Sequence, residues 1–275
     1  MHVNPVSIGY EGMAEIGIIT DLTDKDKVAE SLRTNPRVRI IPSSLGKYTM
    51  YGLVMAEKLD ELTETVQRID VKPYVKSLDL LIFADLWDNP WHPENLVVKP
   101  SERKNLMTRP NRLNTKFEPV TLDETDKHIA KMLMKNSRVA FKEIAEKLEI
   151  STKTVIQRYK FLREKNVLNL STISVDLFKI GYNAISDSFI KVDHRGNLSK
   201  VKTRLLQIPN LIFCAEFIGG TCDLRTATIV ANFQDVFRLK EQVGSIGNIM
   251  NAEFYLHEIP GPWPDDFMGR SLLGE

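Results

Sequence analysis

The sequence of 275 residues has few of the features that mark membrane, secreted or metal-binding proteins. It contains no run of about eighteen apolar residues, so we expect no transmembrane helix. The N-terminus lacks a basic region followed by an apolar one, and we therefore expect no secretory signal. With two cysteines and five scattered histidines, neither a disulfide framework nor a metal-ligand spacing can be assembled. We expect a cytoplasmic protein of two or three small domains, without metal or cofactor.

Net charge is also nearly absent, at +1, which is unusual for a protein that binds nucleic acid. The charges are, however, unevenly distributed. Residues 99–170 contain 17 Lys and Arg against 9 Asp and Glu, whereas the rest of the chain contains 20 against 27. This asymmetry places a positive field over one segment, where it would help to neutralise phosphates. On charge alone, solvated lysine-rich helix faces stay an alternative.

Two blocks of the chain share one order of predicted elements, strand-helix-strand-strand-helix-strand. Strands are predicted at 15–20, 37–43, 49–56 and 71–86, and again at 186–193, 211–219, 224–231 and 249–259. A series of positions also matches in order at a constant offset, pairing Val28, Leu32, Pro36 and Val38 with Val201, Leu205, Pro209 and Leu211. Such a series predicts that one domain has been duplicated.

A proline-rich basic stretch separates the two blocks. Residues 87–120 contain five prolines and few apolar residues, which predicts an extended linker. Its basic side chains could follow a phosphate backbone, although a solvated tether is the simpler interpretation. The predicted boundaries are therefore an N-terminal domain at 1–86, the linker at 87–120, a helical domain at 121–175, and a C-terminal domain with its tail at 176–275.

The helical domain has the pattern of three helices. Thr121 and Glu124 form a predicted capping box at the start of the first. A tight turn at Glu149-Ile150 leads to a third helix, for which Ser151 is a suitable cap. Val155, Tyr159 and Leu162 of that helix are predicted to face the core, so its polar face consists of Ser151, Thr152, Lys153, Thr154, Gln157, Arg158 and Lys160.

The polar face of the third helix has the groups that bond base edges and phosphates, namely hydroxyl, amide and guanidinium groups. A helix of this size fits the major groove of double-stranded DNA. The pattern therefore predicts a recognition helix. A generic helical bundle with a polar surface is the alternative on the helix pattern alone.

Three stretches, LDETDKHIAKML, NSRVAFKEIAEKLEIS and STKTVIQRYKFLREKNVL, strongly resemble the DNA-binding domain of the Lrp/AsnC (feast/famine) transcriptional regulators. The following VDLFKIGYN resembles that family's hinge strand. The resemblance covers 121–259 and implies an α+β fold, in which a winged helix-turn-helix domain is followed by a ferredoxin-like βαββαβ (RAM-like) effector domain. Taken with the repeat at 14–86, which resembles the family more weakly, it predicts two such effector domains flanking the central helices. In three departures, Asn166 stands where the family usually has Gly, Tyr159 replaces a typical aliphatic core residue, and an effector domain precedes the helices.

The resemblance also implies a small-molecule ligand, often an amino acid, bound between effector domains near the turn of the second and third strands. The matching residues are Gly219, Gly220, Thr221 and Asp223, while Cys222 replaces the family's Tyr. Glycine would let backbone amides approach a ligand carboxylate, and Asp223 would hold an ammonium. A tight hairpin that needs glycine for its backbone is the alternative.

Three functional hypotheses follow. The leading one is a cytoplasmic, nucleoid-associated DNA-binding transcriptional regulator, not an enzyme, that responds to a metabolite. The second is an enzyme, because proteins of siroheme decarboxylation resemble this family and use His and Arg around a tetrapyrrole, for which His194-Arg195 is the matching pair. The third is a ligand-sensing assembly protein with vestigial DNA binding.

The assembly is left open by the sequence. The two effector repeats can pair within one chain, or each can pair with its counterpart in a second chain. We expect a homodimer or a higher oligomer, because one recognition helix rarely supplies enough affinity for DNA.

Overall fold

The computed structural model describes residues 1–35, 37–41, 44–70, 72–84, 118–170, 176–259 and 273. In chain order the elements are β1 (His2–Val3), β2 (Gly12–Ile19), α1 (Lys25–Arg33), β3 (Val38–Ile41), β4 (Ser44–Leu45), β5 (Met50–Ala56), α2 (Leu59–Asp70), β6 (Ser77–Phe83), α3 (Glu124–Lys135), α4 (Phe141–Lys147), α5 (Thr152–Glu164), β7 (Leu168–Leu170), β8 (Ala184–Val192), α6 (Leu198–Leu205), β9 (Leu211–Ile218), β10 (Leu224–Val230), α7 (Phe233–Gly244) and β11 (Ile249–Glu258). Among the helices of these described residues, none is long and apolar enough to cross a membrane.

The chain forms two compact units. The helix unit contains residues 1–11 together with the described residues of 115–175, and the sheet unit contains the described residues of 12–114 and 176–260. The first eleven residues, which the predicted N-terminal domain at 1–86 includes, group with the helix unit in this division. Nearly all of the predicted linker at 87–120 lies outside the described residues.

Helices α3, α4 and α5 pack through apolar residues at helical spacing. Ile129 and Leu133 of α3, Ile144 of α4, and Val155 and Leu162 of α5 are all buried. This set confirms the core positions predicted for Val155 and Leu162. Burial of such side chains stabilises the unit by about 1.5–3 kcal/mol each as an upper estimate.

Two turns and one cap define the ends of these helices. Asp123, not Thr121, caps α3, because its side chain accepts a hydrogen bond from the backbone N–H of Asp126 at 2.8 Å. Glu149 has φ +54° in the turn before α5. Asn166 has φ +58°, a left-handed conformation that Asn adopts more easily than most residues, so the turn survives without Gly.

The N-terminal segment completes the helix unit. Strand β1 pairs antiparallel with β7, with His2 opposite Leu170. The backbone N–H of Asn4 donates to the carbonyl of Val167 at 2.8 Å, and the Ser7 hydroxyl donates to the carbonyl of Asn166 at 3.2 Å. The resulting two-stranded ribbon follows α5 and is the wing expected for this fold. A strand as short as β1 has no sequence pattern of its own.

The sheet unit contains two βαββαβ repeats with the same strand order. The first repeat has the order β3-β5-β2-β6, and the second has β9-β10-β8-β11. Glu15 pairs with Leu53 and Leu81, and Asp187 pairs in the same way with Ala227 and Tyr255. Glu15 and Asp187 therefore occupy equivalent positions, and the predicted duplication is confirmed at the level of topology.

The two repeats form one nine-stranded sheet in the described residues of a single chain. Strand β6 pairs with β9, placing Ile82 opposite Ile218, and β11 pairs with β4, placing Leu256 opposite Leu45. We call these two junctions, with the side chains between them, the seam. Within this chain the two repeats therefore pair with each other.

Each repeat buries one face of its strands under its own two helices. In the second repeat, Ile190 and Leu224 pack with Val201 of α6 and Leu239 of α7. Because side chains alternate along a strand, the intervening residues of β8 and β10 point to the opposite face. On that face Phe189 stacks on Tyr51 of the first repeat, with ring centroids 5.9 Å apart.

Candidate DNA-binding helix and effector hairpins

The start of α5 is well capped and free of acidic residues. The Ser151 side chain accepts a hydrogen bond from the backbone N–H of Thr154 at 3.0 Å, and their two hydroxyl oxygens lie 2.8 Å apart. No Asp or Glu is present in the first turn, although such residues would stabilise a helix start. The predicted cap is confirmed, and the positive end of this helix has no acidic neighbour in its first turn.

Most of the polar face predicted for α5 is accessible. Thr152, Lys153, Gln157 and Lys160 are exposed, and Thr154 is half-buried. Tyr159, predicted to face the core, is also half-buried, and its ring lies 5.1 Å from that of Phe141. Lys153, Gln157 and Lys160 are spaced three and four residues apart, so they share one side of the helix.

One apolar residue of this face was not predicted. Ile156 is 36% exposed, although it directly follows the buried Val155. It lies between Lys153 and Lys160 at helical spacing. Its exposure could have been predicted from the sequence, because Val155 already fills the core position and the next residue of a helix points in another direction.

Arg158 has a different environment from the rest of the predicted face. Its guanidinium contacts the carboxylates of Asp123 at 2.8 Å and Asp126 at 3.2 Å. Asp126 is only 2% exposed, and burial together with Asp123 raises its pKa although Arg158 opposes the shift. Arg158 thus joins α5 to the start of α3. It is half-buried and paired, not freely exposed as the sequence predicts.

Each repeat of the sheet unit has a glycine-containing hairpin that lies against the last strand of the other repeat. Gly220 has φ +64°, and a Cβ atom there would overlap the side chain of Leu81. A Cβ atom on Gly46 would likewise overlap the ring of Tyr255. The close approach predicted for a ligand at Gly220 is therefore made by β6, which supports the hairpin alternative. Gly219 has φ +81° and more open surroundings.

Asp223, a predicted effector-binding residue, has three hydrogen-bond partners within the protein. It is buried, and its carboxylate accepts hydrogen bonds from Lys191 at 3.0 Å, Arg195 at 2.9 Å and the backbone N–H of Val192 at 3.1 Å. The two cations already occupy the side on which an ammonium would bind. Lys191 of β8 and Arg195, in the turn after β8, are 41% and 53% exposed, so both stay accessible to solvent.

The first repeat has a hydrogen bond equivalent to the one between Asp223 and the backbone of Val192, but its acceptor is the neutral side chain of Thr49. The Thr49 hydroxyl accepts from the backbone N–H of Thr20 at 3.1 Å, as Asp223 does from that of Val192. The backbone N–H groups of Thr49 and Asp223 donate to Ile18 and Ile190, at 2.8 and 2.9 Å. A side chain at this position therefore ties the hairpin to the end of the first strand in both repeats.

Comparison with known proteins agrees with this geometry. Residues 122–163, which form α3, α4 and most of α5, match the model of the AsnC-type helix-turn-helix domain. An uncharacterised HTH-type transcriptional regulator of Pyrococcus abyssi is 30% identical over 128 residues, 46% of this chain and 86% of that protein. The chain belongs to the Lrp/AsnC family of transcriptional regulators. A second family relative, the HTH-type transcriptional regulator FL11 of Pyrococcus furiosus, is 30% identical over 46% of this chain and 83% of its own length.

A solved structure covers the rest of this Lrp/AsnC chain as well. The siroheme decarboxylase NirDL matches 98% of this chain and 80% of its own, with a TM-score of 0.62 and 13% sequence identity. At that identity the match shows the fold alone. It extends the likeness to the repeat that precedes the helices, whereas the Pyrococcus relatives match less than half of the chain.

A buried cluster of charged side chains in the sheet unit was not predicted. Glu15, Asp187, Arg225 and His257 are each no more than 6% exposed. Arg225 pairs with Glu15 and, at 2.7 Å, with Asp187, which also contacts His257. The available signal was Arg225 inside the otherwise uncharged strand LRTATIV, and Glu15 inside GMAEIGII.

Proposed function

We propose that this protein is a sequence-specific DNA-binding transcriptional regulator in which α5 enters the major groove. The observation that carries the proposal is the surface of α5, a Ser-capped helix whose exposed side consists of Thr152, Lys153, Ile156, Gln157 and Lys160. Membership of the Lrp/AsnC family supports it.

Each exposed group has a partner in duplex DNA. Lys153 and Lys160 suit phosphate oxygens, and contacts of this kind fix the register of a protein on the duplex. Gln157 can bond the N6 and N7 atoms of an adenine, and Ile156 can contact a thymine methyl group. In this proposal Arg158 stays with its two carboxylates and orients the helix.

The test is fluorescence anisotropy with a labelled duplex at several salt concentrations. Lys153→Ala should weaken binding to every duplex and lower the slope of log K against log salt by about 0.9, the value for one phosphate contact. Gln157→Ala should mainly reduce the preference between duplexes. The matched control is Lys200→Ala, which removes an exposed lysine from α6. Equal affinities and slopes for Lys153→Ala and Lys200→Ala would contradict the proposal.

The effector part of the proposal is a small carboxylate-containing metabolite, an amino acid, bound at the second hairpin. Lys191 and Arg195 support it, because both are partly exposed where they contact Asp223 of that hairpin. A carboxylate is the natural partner of such a pair. The ligand would thus use these cations, with Asp223 holding them in place.

A thermal-shift screen over the twenty amino acids tests the effector. A ligand at one hundred times its Kd should stabilise the protein by about 2.7 kcal/mol. Arg195→Ala should abolish that shift, while Arg204→Ala, which removes an exposed arginine of α6, should preserve it. No shift with any of the twenty would count against an amino acid.

A second candidate is a tetrapyrrole enzyme, favoured by the fold shared with NirDL over nearly the whole chain. Against it, the exposed Lys153 and Gln157 of α5 would have no role in such a reaction. Titration with iron uroporphyrin, followed by absorbance, separates the two functions. Two results together would favour the enzyme. The protein would bind iron uroporphyrin saturably with a shifted Soret band, and its affinity for DNA would not change with salt concentration.

We further propose a location in the cytoplasm at the nucleoid, where a DNA-binding regulator acts. We also propose that two chains associate on operator DNA, because one helix of this size provides few base contacts.

A further inference from the structure

Four ionisable side chains meet inside the seam, and we call them the seam cluster: Glu15 of β2, Asp187 of β8, Arg225 of β10 and His257 of β11. One nitrogen of the Arg225 guanidinium contacts Glu15, and another contacts Asp187 at 2.7 Å. The imidazole of His257 contacts the same oxygen of Asp187. Glu15 comes from the first repeat and the other three come from the second, so the cluster spans the junction.

The two repeats contribute unequally to this cluster. Glu15 and Asp187 are equivalent positions, so each repeat supplies one carboxylate. The position equivalent to Arg225 is Tyr51. Arg225 pairs with Phe189, two residues after Asp187, and Tyr51 pairs with Gly17, two residues after Glu15. The position equivalent to His257 is Phe83. His257 lies two residues after Tyr255, the partner of Asp187, and Phe83 lies two residues after Leu81, the partner of Glu15. The first repeat therefore contributes an anion and no cation.

Burial makes this inequality energetically important. A buried carboxylate without a partner is strongly unfavourable, and removing one member of a buried ion pair costs far more than the pair contributes. Arg225 is surrounded by aromatic rings, with its guanidinium carbon 5.2 Å from the centroid of Phe213 and 5.5 Å from that of Tyr51. One guanidinium thus compensates a carboxylate from each repeat. A junction of two first repeats would bury two Glu15 carboxylates and no guanidinium.

We propose that the seam cluster makes pairing selective, so that the first repeat accepts a second-type repeat and rejects another first repeat. A chain then closes on itself, and the tether between its repeats favours closure over exchange. Two chains therefore cannot join through their two first repeats, because such a seam would bury two carboxylates without a cation. This inference concerns the sheet unit and does not depend on the proposed DNA binding.

Disulfide trapping across the seam in the full chain tests this proposal. Ile82→Cys with Ile218→Cys places two thiols on directly opposite residues, where a disulfide can form. Chains carrying this pair are refolded at several concentrations, and we measure the fraction with an intrachain disulfide and the mass by light scattering. With the native cluster we expect almost complete intrachain trapping at every concentration.

Two variants separate selectivity from simple stability. Arg225→Met should reduce intrachain trapping by about tenfold, because it leaves the buried Glu15 without its cation and Asp187 with His257 alone. Adding Glu15→Gln and Asp187→Asn should restore folding, as judged by circular dichroism, but with multimers that increase with concentration. Arg204→Met, at an exposed arginine of α6, should behave as the native chain does.

Two results would overturn the proposal. One is Arg225→Met trapping as efficiently as Arg204→Met. The other is a neutralised triple variant that closes within the chain as selectively as the native protein at all concentrations. If Arg225→Met does not fold, Glu15→Gln alone decides the matter, since it should raise the multimer fraction severalfold. A fraction equal to that of the native chain would refute the selectivity.

Discussion

Replacing Arg158 with alanine gives the clearest test of how the helix unit works. In the structure this side chain is held by Asp123 and Asp126, and not left free on the surface of α5. If it orients α5, its loss should lower stability and DNA affinity together. If it contacts DNA, its loss should lower affinity alone.

The magnitude follows from the burial of Asp126, which is 2% exposed. Leaving such a group without its partner costs about 1–3 kcal/mol. Because Arg158 is itself 39% exposed, solvent screens part of this interaction, and we take the lower half, about 1–2 kcal/mol. For a unit of this size that corresponds to a fall in Tm of roughly 4–16 °C.

The assay combines calorimetry of the full chain with anisotropy titrations over a range of salt. We expect Arg158→Ala to lower the Tm of the helix unit and to weaken binding to all duplexes with an unchanged salt slope. Lys160→Ala on the same helix is the control and should lower the slope with little effect on Tm. An unchanged Tm for Arg158→Ala, with a slope lower by about 0.9, would show that Arg158 contacts a phosphate and would refute the positioning role.

Two further predictions concern the sheet unit. Burial raises the pKa of the Cys222 thiol to about 12, and Cys214 is also buried, so neither should react with Ellman's reagent at pH 8 until denaturant is added; rapid reaction of the folded protein would contradict this packing. Gly220→Ala should cost about 1–2 kcal/mol from its left-handed backbone alone, and more from the overlap with Leu81, while Gly219→Ala should cost the backbone term only. Equal urea midpoints for the two variants would argue against the contact with Leu81.

Elements whose patterns are local were predicted well. Strand β9, predicted at 211–219, spans Leu211–Ile218, and β10, predicted at 224–231, spans Leu224–Val230. Each depends on apolar spacing within one segment, which a sequence displays directly. The wrong cap at Thr121 has a local cause too, because Thr and Asp cap helices almost equally well and packing decides which residue is used. Strand β6, predicted from residue 71, begins at Ser77, after a turn that includes Pro73.

The features that the sequence concealed depend on residues far apart in the chain. Ile82 and Ile218 form the seam although 135 residues lie between them, and no local pattern marks either as a pairing edge. Arg225 meets Glu15 from 210 positions away. A ligand was predicted at Asp223 because the sequence does not show which side chains surround it. Its partners lie elsewhere in the chain, Lys191 on another strand and Arg195 in the turn after that strand. The residue types indicate which interactions these side chains can make, but their neighbours in the folded chain decide which interactions they do make.

Selection of bound duplexes from a random DNA library tests the central claim most directly. We predict that the native chain enriches a short motif, which disappears when Lys153→Ala and Gln157→Ala are combined and persists in Lys200→Ala. The arrangement of the motif would also show whether one or two recognition helices bind at once, as a single half-site or as a two-fold repeat. No enriched motif, or the same motif in the double variant, would contradict the assignment of α5 as the helix that recognises DNA.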